Sequence, residues 1–364
     1  MTGDALGLGL LWLLGFVFLF RIDTLDAARG LELPTFSIIV PARNEAHNLP
    51  RLLVSIEKQD LSATELIVVD DASEDDTAAT AESHGARVVH PEPLPQGWLG
   101  KTHACFAGAL AAQAELLVFL DADTTLEDDG LRRLVETQVR RGGFVSVQPY
   151  HRMEAPYERL SAFFAFIVMG GIRAFTILGS RMKPQGLFGP AIACAREDYF
   201  AIDGHRAVRE AVLEDVALGR KAAEGGYALH CFGGRGSISF RMYPGGVREL
   251  ANGWTKNFAL GAASAGPFMV LIVTAWMAGA GVAVRLLLVG TLATTPPRLL
   301  LGLVGYGLYV AQIHWMQARI GNFGFLSALM YPFTLSFFLV VFVRSVGLTV
   351  MKQSVRWKDR DISV

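Results

Sequence analysis

Leu116–Leu120 reads LLVFL and runs straight into Asp121-Ala122-Asp123-Thr124. An unbroken apolar run with β-branched and aromatic members suits a strand buried on both faces, as inside a parallel sheet. The acidic pair then falls where such sheets bind ligands, at the carboxyl ends of their strands. Working outward, Phe36–Val40 (FSIIV), Leu66–Val69 (LIVV), Arg87–Val89 and Phe144–Val147 (FVSV) share that character. Between them Ala46–Gln59, Asp76–His84, Thr102–Gln113 and Leu131–Arg141 read as helices. Alternating strands and helices predict a doubly wound, mainly parallel α/β domain.

Two other strand ends are polar: Pro41-Ala42-Arg43-Asn44-Glu45 and Asp70-Asp71-Ala72-Ser73. No GxGxxG follows a strand, which sets aside the dinucleotide-binding version of the fold. An Asp-x-Asp pair suits a hard divalent cation bridging diphosphate oxygens. Such pairs also occur as solvated turns, and Asp70-Asp71 also reads as cap and turn residues before the next helix. Gly97–Thr102 (GWLGKT) opens a helix with a lysine, a good place for a phosphate. It is not a P-loop, because Pro95 stands where that spacing needs its first glycine. Glu214-Asp215 opens another helix with Leu218 and Ala222 on its apolar face. The pair suits the helix dipole; in a cleft, Asp215 would serve as a base.

The 364 residues carry 33 basic and 34 acidic side chains, 52% hydrophobic and 18% charged residues, and a mean hydropathy of +0.36. Near-neutrality excludes a nucleic-acid partner, which needs a basic footprint. Cys105, Cys194 and Cys231 are too scattered for a zinc site or a disulfide framework.

The apolar excess is concentrated. Ala5–Phe20 lacks charges and predicts an N-terminal membrane anchor over 1–21; a cleaved signal peptide is the rival, disfavoured by its missing basic leader. Residues 22–266 read as a soluble domain. Within them Leu160–Gly179 predicts a helix lying on the membrane surface, with a buried helix as the alternative. Pro267–Val284, Leu299–Ala318 and Ile320–Val343 form a membrane region over 267–350. The last of these looks the most complete span, while Gln312 and His314 make the middle one either re-entrant or packed on other helices. The basic tail, 351–364, predicts a cytoplasmic end. Three full passes after a cytoplasmic domain would leave it outside, so one segment is expected to fall short of a pass.

SIIVPARNEAHNLPRLLVSI, ELIVVDDASEDDT, VFLDAD, FGPAIACAREDYFAIDGH and EDVALG, in that order over residues 37 to about 230, resemble glycosyltransferase family 2. The resemblance implies an inverting enzyme of the GT-A fold with a nucleotide-sugar donor. GWLGKTHAC, SVQPYH, FRMYPGGVRELANGWTKNFALGA and the terminal WKDR extend it to bacterial 4,4′-diaponeurosporenoate glycosyltransferases of carotenoid biosynthesis. Those enzymes join glucose from UDP-glucose to a C30 carotenoid acid. The resemblance implies a multi-pass protein of the cell membrane with a cytoplasmic catalytic domain, and other carotenoid-pathway enzymes as neighbours.

Carried over, Pro41, Ala42, Arg43, Glu45 and Asp71 would hold uridine, and Lys101 the uracil or phosphates. Asp121 and Asp123 would hold ribose and a Mg2+ or Mn2+ ion, with Asp123 the direct ligand. Gly189 and Pro190 would border the sugar, Glu214-Asp215 would supply the base, and Trp254 would floor the acceptor site. The QxxRW element of many membrane members is absent: Leu250-Ala251-Asn252-Gly253 precedes Trp254. Arg241 or Lys256 is expected to replace its arginine. Transfer to a hopanoid, ceramide, diacylglycerol or polyprenyl-phosphate lipid is the rival activity, and a non-catalytic membrane scaffold the rival of another class.

Overall fold

The apolar runs become strands because helices cover both faces of the sheet they form. A computed structural model describes residues 2–264, 266–293, 295–350, 354–357 and 360–363, with the side chains of 180, 256–264, 349–350 and the two terminal strands left aside. In chain order come α1 (Thr2–Phe18), β1 (Phe36–Ala42), α2 (Leu49–Glu57), β2 (Glu65–Asp70), α3 (Thr77–Ser83) and β3 (Arg87–Val89). Next are α4 (Gly100–Ala111), β4 (Leu116–Leu120), β5 (Thr124–Leu126), α5 (Gly130–Arg141), β6 (Phe144–Gln148), β7 (Tyr150–His151) and α6 (Ala162–Gly171). Then follow β8 (Ala191–Ala195), α7 (Arg196–Ala201), α8 (Glu214–Glu224), β9 (Leu229–Gly233) and β10 (Ile238–Phe240). Last are α9 (Val247–Ser264), α10 (Pro267–Leu292), α11 (Pro296–Ile320), α12 (Phe325–Leu329), α13 (Tyr331–Val350), β11 (Ser354–Trp357) and β12 (Arg360–Ser363).

The chain divides into two compact units. The first comprises 23–151 and 183–242, the second 1–22, 152–182 and 243–364. In the first, a sheet of order β3-β2-β1-β4-β8-β6-β9 is parallel except for β8, which runs antiparallel to β4 and β6. Strand alternation sends Ile38, Val40, Val118 and Leu120 into a core with α2 and α5. Ile39, Leu117 and Phe119 enter a second core with Ala104, Cys105 and Ala109 of α4 and Leu218 and Ala222 of α8. A small sheet of order β5-β10-β7 completes the unit. This is the mostly parallel α/β sheet of the GT-A fold.

The second unit holds the apolar helices. Three of them, Pro267–Leu292, Pro296–Ile320 and Tyr331–Leu348, are long and apolar enough to cross a membrane; Thr2–Phe18 is shorter. Their exposed Leu6, Leu10, Phe268, Leu271, Leu300 and Phe333 make this a membrane-associated unit.

The two compact units divide at 242/243, and residues 152–182 lie in the unit of the apolar helices. Within Leu160–Gly179, α6 buries Phe163, Phe164, Phe166 and Met169, as the buried-helix alternative has it, because a helix apolar all round has no polar face for water. The middle apolar segment is one unbroken helix of 25 residues packed on other helices, the second of its two readings. Its Gln312 is satisfied internally, accepting from Trp276 Nε1 (2.8 Å) and donating to the Trp12 carbonyl (2.9 Å). The basic tail's side chains lie outside the described residues.

Candidate active site

The carboxyl ends of β1 and β2 interlock before any ligand is considered. Asn44 and Ala72 both take left-handed backbone angles (φ 51° and 54°). Cross-links compensate for that strain. Arg43 donates to the carbonyls of Asp71 (2.7 Å) and Ala72 (3.0 Å), and Asn44 Oδ1 accepts from the Glu74 N–H (2.8 Å). The N–H groups of Asn44 and Glu45 donate to Ser73 Oγ (3.0 Å) and Thr77 Oγ1 (2.9 Å). Pro41, Ala42, Arg43, Glu45 and Asp71 therefore form one rigid rim, with Asp71 nearly buried. Arg43 is its clamp.

One step along the sheet, Lys101 at the start of α4 ties two distant motifs together. Its ammonium lies 2.8 Å from Asp121 Oδ1, 2.9 Å from Asp121 Oδ2 and 3.0 Å from Glu214 Oε1. Burial works against its charge, but the two carboxylates outweigh that and raise its pKa. Burial likewise raises the pKa of Asp121, against the pull of Lys101.

Asp215 sits beside this group on the first turn of α8. Its Oδ2 accepts the Gly189 N–H (2.8 Å) and its Oδ1 the Val216 N–H (2.9 Å). The Asp121 N–H donates to the Pro190 carbonyl (2.9 Å), so Gly189-Pro190 joins the two acidic sites. Burial, reinforced by the negative Glu214, pushes the Asp215 pKa up to about 7. A carboxyl poised there is matched to proton transfer near neutrality. Beneath it His205 is buried and held neutral, its pKa lowered to about 4, with its Nδ1 2.9 Å from the Tyr199 hydroxyl.

Gly189 lies close against Asp215. A Cβ there would lie 3.2 Å from both Cβ and Oδ2 of Asp215. Gly189→Ala is therefore expected to move that carboxylate by a few tenths of an ångström and lower turnover about tenfold. The melting temperature should stay nearly unchanged, which steady-state rates paired with thermal unfolding will check.

The carboxylate oxygens at Asp123 fit a hard cation in kind. Among the described residues, however, no three His, Cys, Asp or Glu side chains converge to hold one unaided. Asp121, expected to share the ion, has both oxygens on Lys101. Arg241 follows β10, and its N–H approaches the Asp123 carbonyl at 3.4 Å; this puts it beside the acidic pair. Lys256 has its side chain outside the described residues. Trp254 lies in the second unit, buried there, stacked on Phe164 at 4.8 Å with Nε1 donating to Ser161 Oγ at 3.1 Å.

The sequence analysis named Lys101, Asp121, Gly189, Pro190, Glu214 and Asp215, but not His205 or the pairing of Lys101 with Glu214. Opposite charges so far apart in the chain carry no signal of contact. Asn44, Ser73 and Thr77 were also missed as rim supports, although side-chain turn formers cluster at those positions.

Residues 37–216 match the family model described as glycosyl transferase family 2. A "4,4′-diaponeurosporenoate glycosyltransferase" of Staphylococcus haemolyticus (strain JCSC1435) is 33% identical over 92% of this chain and 90% of its own. The protein of that name from Staphylococcus aureus (strain MRSA252) is 33% identical over 90% of this chain and 88% of its own. Among solved structures, the mannosyltransferase PcManGT of Pyrobaculum calidifontis, in complex with GDP-Man and Mn2+, superposes with a TM-score of 0.51. That match is 20% identical and covers 91% of this chain and 95% of the other, and it shows the shared fold. With the sheet, the family model and the whole-chain relatives in agreement, the chain is a glycosyltransferase and belongs to glycosyltransferase family 2.

Proposed function

We propose that this enzyme transfers glucose from UDP-glucose to the carboxylate of a C30 carotenoid acid held in the cell membrane, its first unit facing the cytoplasm. The observation that carries the reading is the extent of the likeness. The staphylococcal relatives match over some nine-tenths of the chain, through both the sugar-nucleotide unit and the membrane unit. A C30 acid is too apolar to leave the bilayer, which accounts for a catalytic unit built into a membrane protein.

In this reading the rim from Pro41 to Glu45, with Asp71, holds the uridine, and Gly189-Pro190 borders the sugar. Asp123 would bind Mg2+ or Mn2+ together with diphosphate oxygens, and such an ion neutralises charge on the departing UDP. Arg241, beside Asp123, supplies a second positive group. One carboxylate oxygen of the acceptor attacks the anomeric carbon as the bond to the UDP oxygen breaks. UDP leaves with that electron pair, and an α-linked donor yields a β-glucosyl ester. Carboxylic acids of the Asp and Glu type ionise near pH 4, so the acceptor needs no base at neutrality. Asp215 then orients it.

The test is incubation of membranes containing the protein with labelled UDP-glucose and the carotenoid acid, in parallel with hopanoid, ceramide and diacylglycerol, followed by mass spectrometry. An alkali-labile glucosyl ester of the carotenoid is expected. Glycosides of a hydroxyl lipid with no carotenoid ester would overturn the acceptor; label on neither would overturn the donor.

A further inference from the structure

The sense of each helix in the second unit can be read from its partners. Along α1, Trp12 meets Leu308 and Gln312, Phe16 meets Trp315, and the Phe20 carbonyl accepts from Arg319. Both numbers rise together, so α1 and α11 are parallel. Against α10 they run oppositely: Leu11 faces Gly279 while Phe18 packs on Trp276 at 5.3 Å. Phe20 and Arg319 thus mark the end of the bundle from which the chain continues into the first unit at residues 22/23.

From that end the chain turns back up along α11. Asn322 is bonded to Met153, one residue from another junction between units. Phe325 then packs on His314 at 5.4 Å, the Leu329 carbonyl accepts from the Tyr306 hydroxyl, and the Tyr331 ring packs, tilted, on Tyr306 at 5.0 Å. Tyr331 also donates to the Ala280 carbonyl at 3.1 Å. At 1.5 Å per residue, Tyr309 and Tyr306 stand roughly 16–21 Å above Ile320, against a hydrocarbon core about 30 Å thick.

Helix α13 then descends. Phe338 reaches Phe164 at 5.0 Å, Arg344 donates to Asn252 Oδ1 at 3.0 Å, and Ser345 Oγ donates to the Thr255 carbonyl at 2.7 Å. The neighbouring Trp254 packs on Tyr243, where the chain leaves the first unit, at 5.8 Å. Both ends of the 321–350 segment therefore lie at one end of the bundle.

We propose that residues 321–350 form a re-entrant hairpin, turning at Met330 part-way across the bilayer and leaving on the side it entered. The apex meets the requirement that non-helical backbone at membrane depth be satisfied within the protein. The Met330 N–H donates to the Leu326 carbonyl (2.9 Å) and the Phe333 N–H to the Met330 carbonyl (3.0 Å). Pro332 has no N–H to place. The residues before the turn, GNFGFLSALM at 321–330, carry no charge, as suits a segment in lipid and not a watery loop. Only α1, α10 and α11 then cross. The first turn of α1 and the α10–α11 turn lie on one side; residue 22, where the chain passes into the first unit, and the end of α13 lie on the other. This reconciles the tail's Lys352, Arg356, Lys358 and Arg360 with a cytoplasmic first unit.

The test uses full-length protein in sealed vesicles of both orientations, with Cys231→Ser to remove the half-buried native thiol and a membrane-impermeant maleimide as probe. Single cysteines are placed at Glu82 in the first unit, at Ala293 in the α10–α11 turn, at Met330, and after Val364. The appended cysteine should react from the same face as E82C, A293C from the opposite face, and M330C from neither. Reaction of the appended cysteine from the A293C face would overturn the hairpin, as would labelling of M330C from that face. Should M330C fail to insert, the sidedness of the appended cysteine decides alone.

Discussion

Asp215→Asn lowers turnover on a hydroxyl acceptor by about 10²–10⁴-fold, the usual worth of a general base. On a carboxylate acceptor the same change costs about tenfold, roughly one hydrogen bond's contribution to orientation. The difference arises because a hydroxyl must lose its proton during attack, whereas the carboxylate has none to lose. The pH profile separates the two cases further. Asp215 is pushed up to about 7 by burial and by Glu214. With a hydroxyl acceptor, kcat/KM should therefore rise with pH through about 7, and Asp215→Asn should abolish that limb. A carboxylate acceptor should show little of it.

Folding carries the opposite sign. A carboxyl whose pKa is raised from 3.8 to about 7 binds its proton more tightly folded than unfolded, so the parent loses stability as pH rises through that window. The Asn variant loses less there, though its NH2 group must face either the Gly189 or the Val216 N–H. Rates for both acceptors from pH 5 to 9, with melting curves over the same range, check all of this. Equal losses of several orders of magnitude on both acceptors would overturn the orienting role.

The strands were legible in the sequence because LLVFL and FSIIV have no polar side to misplace. The ligand-binding edge followed, since polar residues cluster where each run stops. The strand at 191–195 was not among them: AIACA is short and alanine-rich, and nothing in such a run says that it enters the sheet antiparallel between β4 and β6. The α6 stretch AFFAFIVMGG did carry its signal, the lack of any polar face, and Arg173 beyond it drew the reading toward a surface helix. The final apolar segment shows the deeper limit. Hydropathy reports which solvent a helix meets, and the partners of Tyr331 and Ser345 report which way it runs. The Lys101–Glu214 contact is of the same kind, created by the fold that brings the first turns of α4 and α8 within ion-pair distance.

Lys101→Met should lower turnover at neutral pH by about 10²-fold, on the scale of removing one preorganised electrostatic donor from an active site. Two effects combine. The first is loss of the ammonium that binds both Asp121 and Glu214, which leaves those carboxylates and Asp215 to repel one another. The second is titration: Lys101 opposes the rise in the Asp215 pKa, so removing its charge favours the protonated acid. The acid limb seen with a hydroxyl acceptor should then move to higher pH by about one unit, equivalent to about 1.4 kcal/mol of interaction. Stability should fall modestly, because the lysine is 38% exposed and solvent screens part of its attraction. Glu214→Gln added to Lys101→Met removes the unpaired negative neighbour, so the limb should return toward its original position. That non-additivity, read as a double-mutant cycle on the pH profile, separates a shared electrostatic group from two independent contacts. A limb that stays in place in Lys101→Met would show that the lysine serves Asp121 alone.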